Sequence, residues 1–367
     1  MSIEISALDL HYLVEEMLPL REARIDKIAQ PTKDTVVFQF YVKGKEKQML
    51  KIALPNLFYL TTKKPETAEK LLGFCAALRK YLSNAMLLEI KQLGSERIAS
   101  LLFKAKGEEY LLFIELFAKG NIILCRKDLT IIVPVVAYKT KEREIKAGAR
   151  YSCPKKEINF FKLSFADLKN SLKKQKQAIS RMLAVDFGFG GQYARELCLL
   201  SCIGQQEKDI DDKQIKALFN SIRLLINKKI SPLVAYSDSE IKAVLPFELE
   251  IYKDLRKERQ KTFNSAVNFV VQAETKKPMT KTQKELEKLQ KIITMQQNKI
   301  RELQKAAEEN QRKGELVYEK YQLLSQIIEE IRKARKKYSW KEIKDKLKGH
   351  KLIKEVNEKT GEIVVDI

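Results

Sequence analysis

Histidine is scarce in this chain: His11 and His350 are the only two in 367 residues. That leaves little scope for imidazole general-base chemistry or a histidine-rich metal site. The five cysteines, at 75, 125, 153, 198 and 202, form no CxxC pair, and an odd number argues against a disulfide framework. Cys198 and Cys202 lie four apart on an expected helix, but two thiols make no zinc site and read as ordinary buried cysteines. Long apolar runs are missing too. The best, Ile131 to Val136, has strand length and contains Pro134, far short of the ~18 residues of a membrane span. Glu4, Asp9, Glu15 and Glu16 stand where a secretory signal has a basic start and an apolar stretch. The catalytic signatures GxSxG, the Walker loop and HExxH are also lacking. Together these absences lead to the expectation of a reduced, soluble, cytoplasmic chain with no cofactor, no metal, no membrane partner and no enzymatic step.

What the chain has in excess is positive charge. Seventy Lys and Arg face 48 Asp and Glu, a formal net charge of +22. The surplus is +7 over residues 1–150, +6 over 151–275 and +9 over 276–367, so it belongs to the whole molecule. Such a field suits a polyanion, nucleic acid first and an anionic membrane second. With 44% apolar residues there is material for real cores, which excludes disorder as the main state.

The first part reads as α+β. Ser6 and Asp9 have the spacing of a helix cap, and Leu10, Leu13, Val14 and Met17 follow at helical period. Thr35–Val42 and Gln48–Leu54 form a hairpin pattern around Lys43-Gly44-Lys45. Thr67–Ser83 is helical, and Arg97–Lys104, Tyr110–Leu116 and Asn121–Cys125 are strands joined by glycine turns. Short strands with tight turns predict a largely antiparallel sheet or sandwich flanked by helices. Residues 165–230 turn helical. Within them Gly188, Gly190 and Gly191 interrupt two amphipathic stretches in a helix-hairpin-helix pattern. Free N–H groups at the start of the second helix can hold a phosphate, or the glycines serve only a turn that needs positive φ. Leu233–Tyr236 and Lys242–Tyr252 read as strands, and Ser265–Val271 as a short helix.

The last part carries a heptad seam. From Leu286, alternating steps of three and four reach Leu289, Ile293, Gln296, Ile300, Leu303, Ala307, Asn310, Gly314, Val317, Tyr321, Leu324, Ile328 and Ile331, and eleven of these fourteen are apolar. A continuous helix from about Lys281 to Lys337 would extend roughly 85 Å. It cannot bury that seam alone, so it needs a second copy or a further segment as partner. Beyond Trp340 lies a basic stretch, and Glu362–Ile367 is strand-like, as if the chain stops within a domain.

Five motifs resemble the NFACT family, which comprises NEMF, RqcH and the proteins named fibronectin-binding protein A. They are Ile5–Leu10, Arg24–Pro31, Leu78-Arg79-Lys80, Gly94–Ile98 and Glu115–Leu124, followed in order by the glycine hairpin and the heptads. The resemblance implies an NFACT-N domain similar to formamidopyrimidine-DNA glycosylases over 1–170, a helix-hairpin-helix domain over 171–230, and a segment 231–275 packing back on the first. It further implies a coiled-coil arm over 276–337 and the start of a small middle domain over 338–367. Glycosylase activity is not expected, because the N-terminal proline nucleophile is replaced by Met1-Ser2.

The function the resemblance implies is binding of the large ribosomal subunit with obstructed peptidyl-tRNA, and recruitment of tRNA, chiefly for alanine, for C-terminal tailing of the stalled chain. By position, Asp9, Glu96 and Arg97 match residues associated with tRNA in relatives, with Glu96 standing where an Asp is usual. Arg79, Lys80, Lys119 and Asn121 are further candidate RNA contacts, and Gly188, Gly190 and Gly191 the candidate phosphate-binding hairpin. Each has a plainer reading: Asp9 as a helix cap, Arg79 and Lys80 as a solvated helix face, and Lys119-Gly120-Asn121 as a hairpin turn. The resemblance continues in relatives into a second coiled-coil helix and an NFACT-R domain, so the chain is expected to be a fragment or a shortened relative. Readings of another class are a self-associating coiled-coil adaptor and a fibronectin-binding surface adhesin.

Overall fold

The computed structural model describes residues 4–42, 44, 47–64, 71–154, 158–173, 177–238, 240–276, 281–347, 352–357 and 360–365. The chain divides into two compact units, Met1–Lys277 and Pro278–Ile367.

The first unit opens with α1 (Ala7–Met17), capped as its sequence predicts. Ser6 Oγ accepts the Asp9 N–H at 3.1 Å, and Asp9 Oδ2 accepts the Ser6 N–H at 2.9 Å. Nine strands follow: β1 (Arg24–Thr32), β2 (Thr35–Tyr41), β3 (Gln48–Ala53), β4 (Leu57–Thr61), β5 (Met86–Gln92), β6 (Ile98–Ala105), β7 (Glu108–Glu115), β8 (Asn121–Arg126) and β9 (Ile131–Pro134). They form one sheet in the order β4-β3-β2-β1-β5-β6-β7-β8-β9, every pair antiparallel. At its centre the join is narrow, since β1 meets β5 with Arg24 opposite Met86 alone. Two antiparallel meanders therefore share one core, where Phe38 and Phe40 of β2 stack on Phe103 of β6 at 6.2 and 6.5 Å. Helix α2 (Gly73–Leu82) lays Cys75 and Leu78 into that core.

Beyond β9, a ribbon of β10 (Tyr138–Lys139) and β11 (Glu144–Ile145) is fastened by a buried ion pair. Arg143 Nη2 lies 2.5 Å from Glu115 Oε1, which also accepts the Tyr151 hydroxyl at 3.0 Å. Four helices follow, α3 (Phe165–Lys173), α4 (Ile179–Val185), α5 (Gly191–Leu200) and α6 (Asp212–Ile226). A second antiparallel sheet has the order β13 (Glu240–Leu245), β12 (Leu233–Ser237), β14 (Arg256–Arg259), and α7 (Phe263–Lys276) packs on it and on β4.

Carboxylates stitch these parts together over long sequence separations. Glu16 of α1 accepts the N–H groups of Phe263 and Asn264 at 2.7 and 2.8 Å, capping α7. Asn264 in turn accepts the Leu60 N–H of β4 at 2.8 Å. Glu196 of α5, wholly buried, accepts the N–H groups of Glu250 and Ile251 at 2.9 and 3.0 Å. Helices α4, α5 and α6 thus share one core with the large sheet.

Several elements differ from expectation. β1 and β5 were hidden by register shifts that break strict alternation, between Ile25 and Lys27 and between Leu87 and Glu89. The strand expected over Lys242–Tyr252 ends at Leu245, because Pro246 has no N–H for the ladder and Glu196 captures the amides of a 3-10 turn at Glu250–Tyr252. Helix α2 begins at Gly73; the start expected at Thr67 lies outside the described residues.

The second unit consists of α8 (Lys281–Glu319), α9 (Tyr321–Arg335), α10 (Trp340–Lys346) and a hairpin of β15 (Ile353–Val356) with β16 (Ile363–Val365). The single helix expected over 281–337 is interrupted at Lys320, whose backbone lies at φ −101° and ψ 19°. Ile343, Ile353 and Val356 form a small apolar centre, and Gly361 fits where a Cβ would stand 3.0 Å from the Trp340 ring. The seam stays open: Leu289, Ile293, Ile300, Leu303 and Ile328 are each more than half exposed.

Candidate functional site

Two of the predicted groups meet in one place. The turn Ser95-Glu96-Arg97 leads into β6, and the glycine hairpin leads into α5; both border the N-terminus of α1. Between them lies a cleft of about 500 Å³ lined by Glu4, Ser6, Glu96, Arg97, Gly188 and the start of α5, Gly190 to Gln192. The turn is held by Gln92, whose Nε2 donates to the carbonyls of Ala7 and Glu96, both at 2.8 Å. Arg97 is half-buried and forms an ion pair with the exposed carboxylate of Glu4.

The hairpin is built by its neighbours as much as by its glycines. Phe187 and Phe189 are fully buried and anchor it, with Phe189 stacked on Phe160 at 4.3 Å. Gly188 and Gly190 have φ of +79° and +81°, in the left-handed region that favours glycine. The N–H groups of Phe189 and Gly190 return to the carbonyls of Leu183 and Ala184 at 3.1 and 3.0 Å. The first N–H groups of α5, from Gly191 onward, have no intrahelical acceptor, as at any helix start.

Asp9 lies beneath this cleft rather than in it. It is 4% exposed, and its oxygens take the Ser6 N–H and the hydroxyl of the fully buried Tyr193 of α5. Burial raises the Asp9 pKa above its ordinary value, while the bonds from Tyr193 and Ser6 pull it back. Burial and the neighbouring Asp9 likewise push the Tyr193 phenol well up. The pair fixes the first turn of α5 against the first turn of α1. Nothing local in the sequence marks Tyr193 or Glu4 as a site residue, since their partners lie 184 and 93 residues away.

The remaining candidates sit elsewhere. Arg79 donates two bonds to the Ile28 carbonyl, at 3.0 and 2.7 Å, clamping α2 to β1. Lys80 is exposed, with its ammonium 5.3 Å from the Tyr81 ring. Lys119 is exposed on the β7–β8 turn. Asn121 is buried, and its amide both donates to and accepts from the Val136 backbone, at 2.8 and 3.1 Å. At Gly120 a Cβ would stand 2.8 Å from Pro55 Cα, so that glycine answers to packing as well as to its φ of +70°. Among the described residues no cluster of three metal-ligating side chains occurs, and no helix is long and apolar enough to cross a membrane.

Comparison with known proteins places this geometry. Residues 6–361 match the family model for the NFACT N-terminal and middle domains. The archaeal Rqc2 homolog aRqcH of Methanocaldococcus jannaschii is 30% identical over an alignment covering all of this chain and 58% of that protein. The Rqc2 homolog RqcH of Bacillus subtilis is 26% identical over 54% of this chain and 37% of its own length. The chain thus spans little more than half the length of its archaeal relative. Among solved structures, the fibrinogen binding protein from Staphylococcus aureus superposes with a TM-score of 0.60 at 19% identity, covering 72% of this chain and 97% of that one. The N-terminal part of the fibronectin/fibrinogen-binding protein from Streptococcus suis gives 0.60 at 22% identity, over 74% and 100%. These two likenesses carry the fold of the mixed α+β first unit. With the family model matching nearly from end to end, the chain belongs to the NFACT family.

Proposed function

We propose that this chain is the RNA-binding portion of a ribosome quality-control factor, which engages the large ribosomal subunit with obstructed peptidyl-tRNA and recruits tRNA, with alanine tRNA as the expected cargo, for C-terminal tailing of the stalled chain. In this reading it acts in the cytoplasm as a binding factor, and peptide-bond formation belongs to the ribosome. The relatives named as Rqc2 homologs support the role. The observation that carries it is the cleft where Glu96 and Arg97 face the glycine hairpin. A guanidinium beside the carboxylates of Glu4 and Glu96 offers both donors and acceptors. That mixture suits the edges of unstacked nucleotides, as in a tRNA loop, better than it suits phosphate alone. The chain's formal net charge of +22 supplies sequence-independent attraction to the backbone.

Asp9 serves this site as a positioning residue, through Tyr193 and the start of α5. Glu4 tempers Arg97, so an incoming nucleotide must take the guanidinium from that carboxylate. The test is to isolate the protein from cells and sequence the RNA that accompanies it. Enrichment of tRNA with large-subunit RNA supports the proposal; RNA no different from a mock purification contradicts it.

A further inference from the structure

A second cleft lies on the face of β2, β3 and β4 that α7 covers. Register places Val37 opposite Lys51, and Lys51 opposite Tyr59, so these three side chains stand in a row on one face. Asn268 and Gln272 of α7 close the other side, enclosing about 140 Å³. The wall is fixed by Thr61, whose hydroxyl donates to Asn268 Oδ1 at 2.8 Å and accepts the Lys63 N–H at 3.1 Å. None of its lining residues is shared with the cleft at Arg97.

Three features point to an anionic ligand. Lys51, Lys63 and Lys64 all line the cleft, and none of its lining residues is acidic among the described residues. Tyr59 is only 2% exposed, yet its hydroxyl has no hydrogen-bond partner among the described residues. Tyr59 is itself one of the residues that line the cleft. Burial pushes the Tyr59 phenol up to about 12, which keeps it an O–H donor at neutral pH. An oxyanion oxygen would supply the acceptor that this donor lacks. The volume is below the ~300 Å³ of pockets that hold whole drug-sized ligands, but exceeds the room for a few waters.

We propose that this cleft binds a phosphate group, held by the lysine ammonium groups and the Tyr59 hydroxyl. The phosphate comes either from an RNA backbone or from a small phosphorylated molecule, two sources with the same recognition chemistry. The test uses the full chain and two variants, Tyr59→Phe and Lys63→Gln/Lys64→Gln, with folding checked by circular dichroism. Calorimetry measures inorganic phosphate binding, and filter retention measures unfractionated tRNA binding. Tyr59→Phe should weaken the bound anion about fivefold, and the double lysine variant about tenfold or more. Loss in the tRNA arm, with or without the phosphate arm, supports an RNA backbone source; loss confined to the phosphate arm supports a small ligand. Folded variants that match wild type in both arms overturn the proposal, whether or not wild type binds phosphate.

Discussion

The two units put similar apolar side chains to opposite use. In the first, aliphatic and aromatic residues disappear into a large core and a smaller one, and the polar groups buried with them find partners far away in sequence, such as Glu196 on the Glu250 and Ile251 amides and Asp9 on Tyr193. In the second, the most regular apolar pattern of the chain stays on the surface, with Leu289 and Leu303 each 58% exposed. Periodicity fixes which face of a helix is apolar, whereas burial depends on what arrives to cover it. A unit that closes on itself gains stability from its own contacts. A unit with an open seam leaves that apolar surface in water unless a partner covers it.

The largest contrast should come from the buried ion pair. Arg143→Ala leaves Glu115 charged and 2% exposed without its counter-ion, and should cost about 3–5 kcal/mol in denaturant unfolding of the first unit. Tyr193→Phe removes the phenol donor to the buried Asp9 carboxylate and should cost about 1–3 kcal/mol. It should also weaken tRNA binding, because the start of α5 loses its anchor on α1.

A pH effect sharpens the same point. The folded-state pKa of Asp9 lies above its unfolded value of 3.8, so the buried charge weighs against folding at neutral pH. That penalty is relieved as pH falls through the folded value toward the unfolded one. Asp9→Asn cannot titrate, so between about pH 7 and about pH 4 wild type should gain stability relative to the variant. A relative loss over that range would reverse the assignment.

The smallest effect is expected on the seam. Leu303→Ala should change the stability of a dilute, monomeric chain by no more than about 0.5 kcal/mol. A cost of about 2 kcal/mol or more, rising with protein concentration, would mean that a second copy buries the seam. Sedimentation of the same samples distinguishes the two outcomes.

Local chemistry made much of the fold legible. Ser6 and Asp9 marked the first helix, the Val and Phe content of Thr35–Val42 marked β2, and the leucine and isoleucine spacing announced the helical arm, though not its break at Lys320. What stayed hidden depends on distant partners. Bulges concealed β1 and β5, and Glu196 decides the turn at Glu250–Tyr252 from α5. At the site, Glu96, Arg97 and the three glycines were readable as motifs, but Glu4 and Tyr193 have no local signature. Asp9 carried two readings in the sequence, cap and site residue. The structure gives its cap bonds directly and adds the link to Tyr193.

In the proposed function a cationic protein grips RNA at the cleft around Arg97. The most direct measurement is tRNA affinity across a salt series for wild type, Arg97→Glu and Glu4→Gln. The account predicts a steep fall of affinity with salt for wild type, as phosphate contacts release counterions. It further predicts weaker binding by a folded Arg97→Glu and tighter binding by Glu4→Gln, which frees the guanidinium. Salt-insensitive binding, or identical affinities for all three proteins, would contradict it.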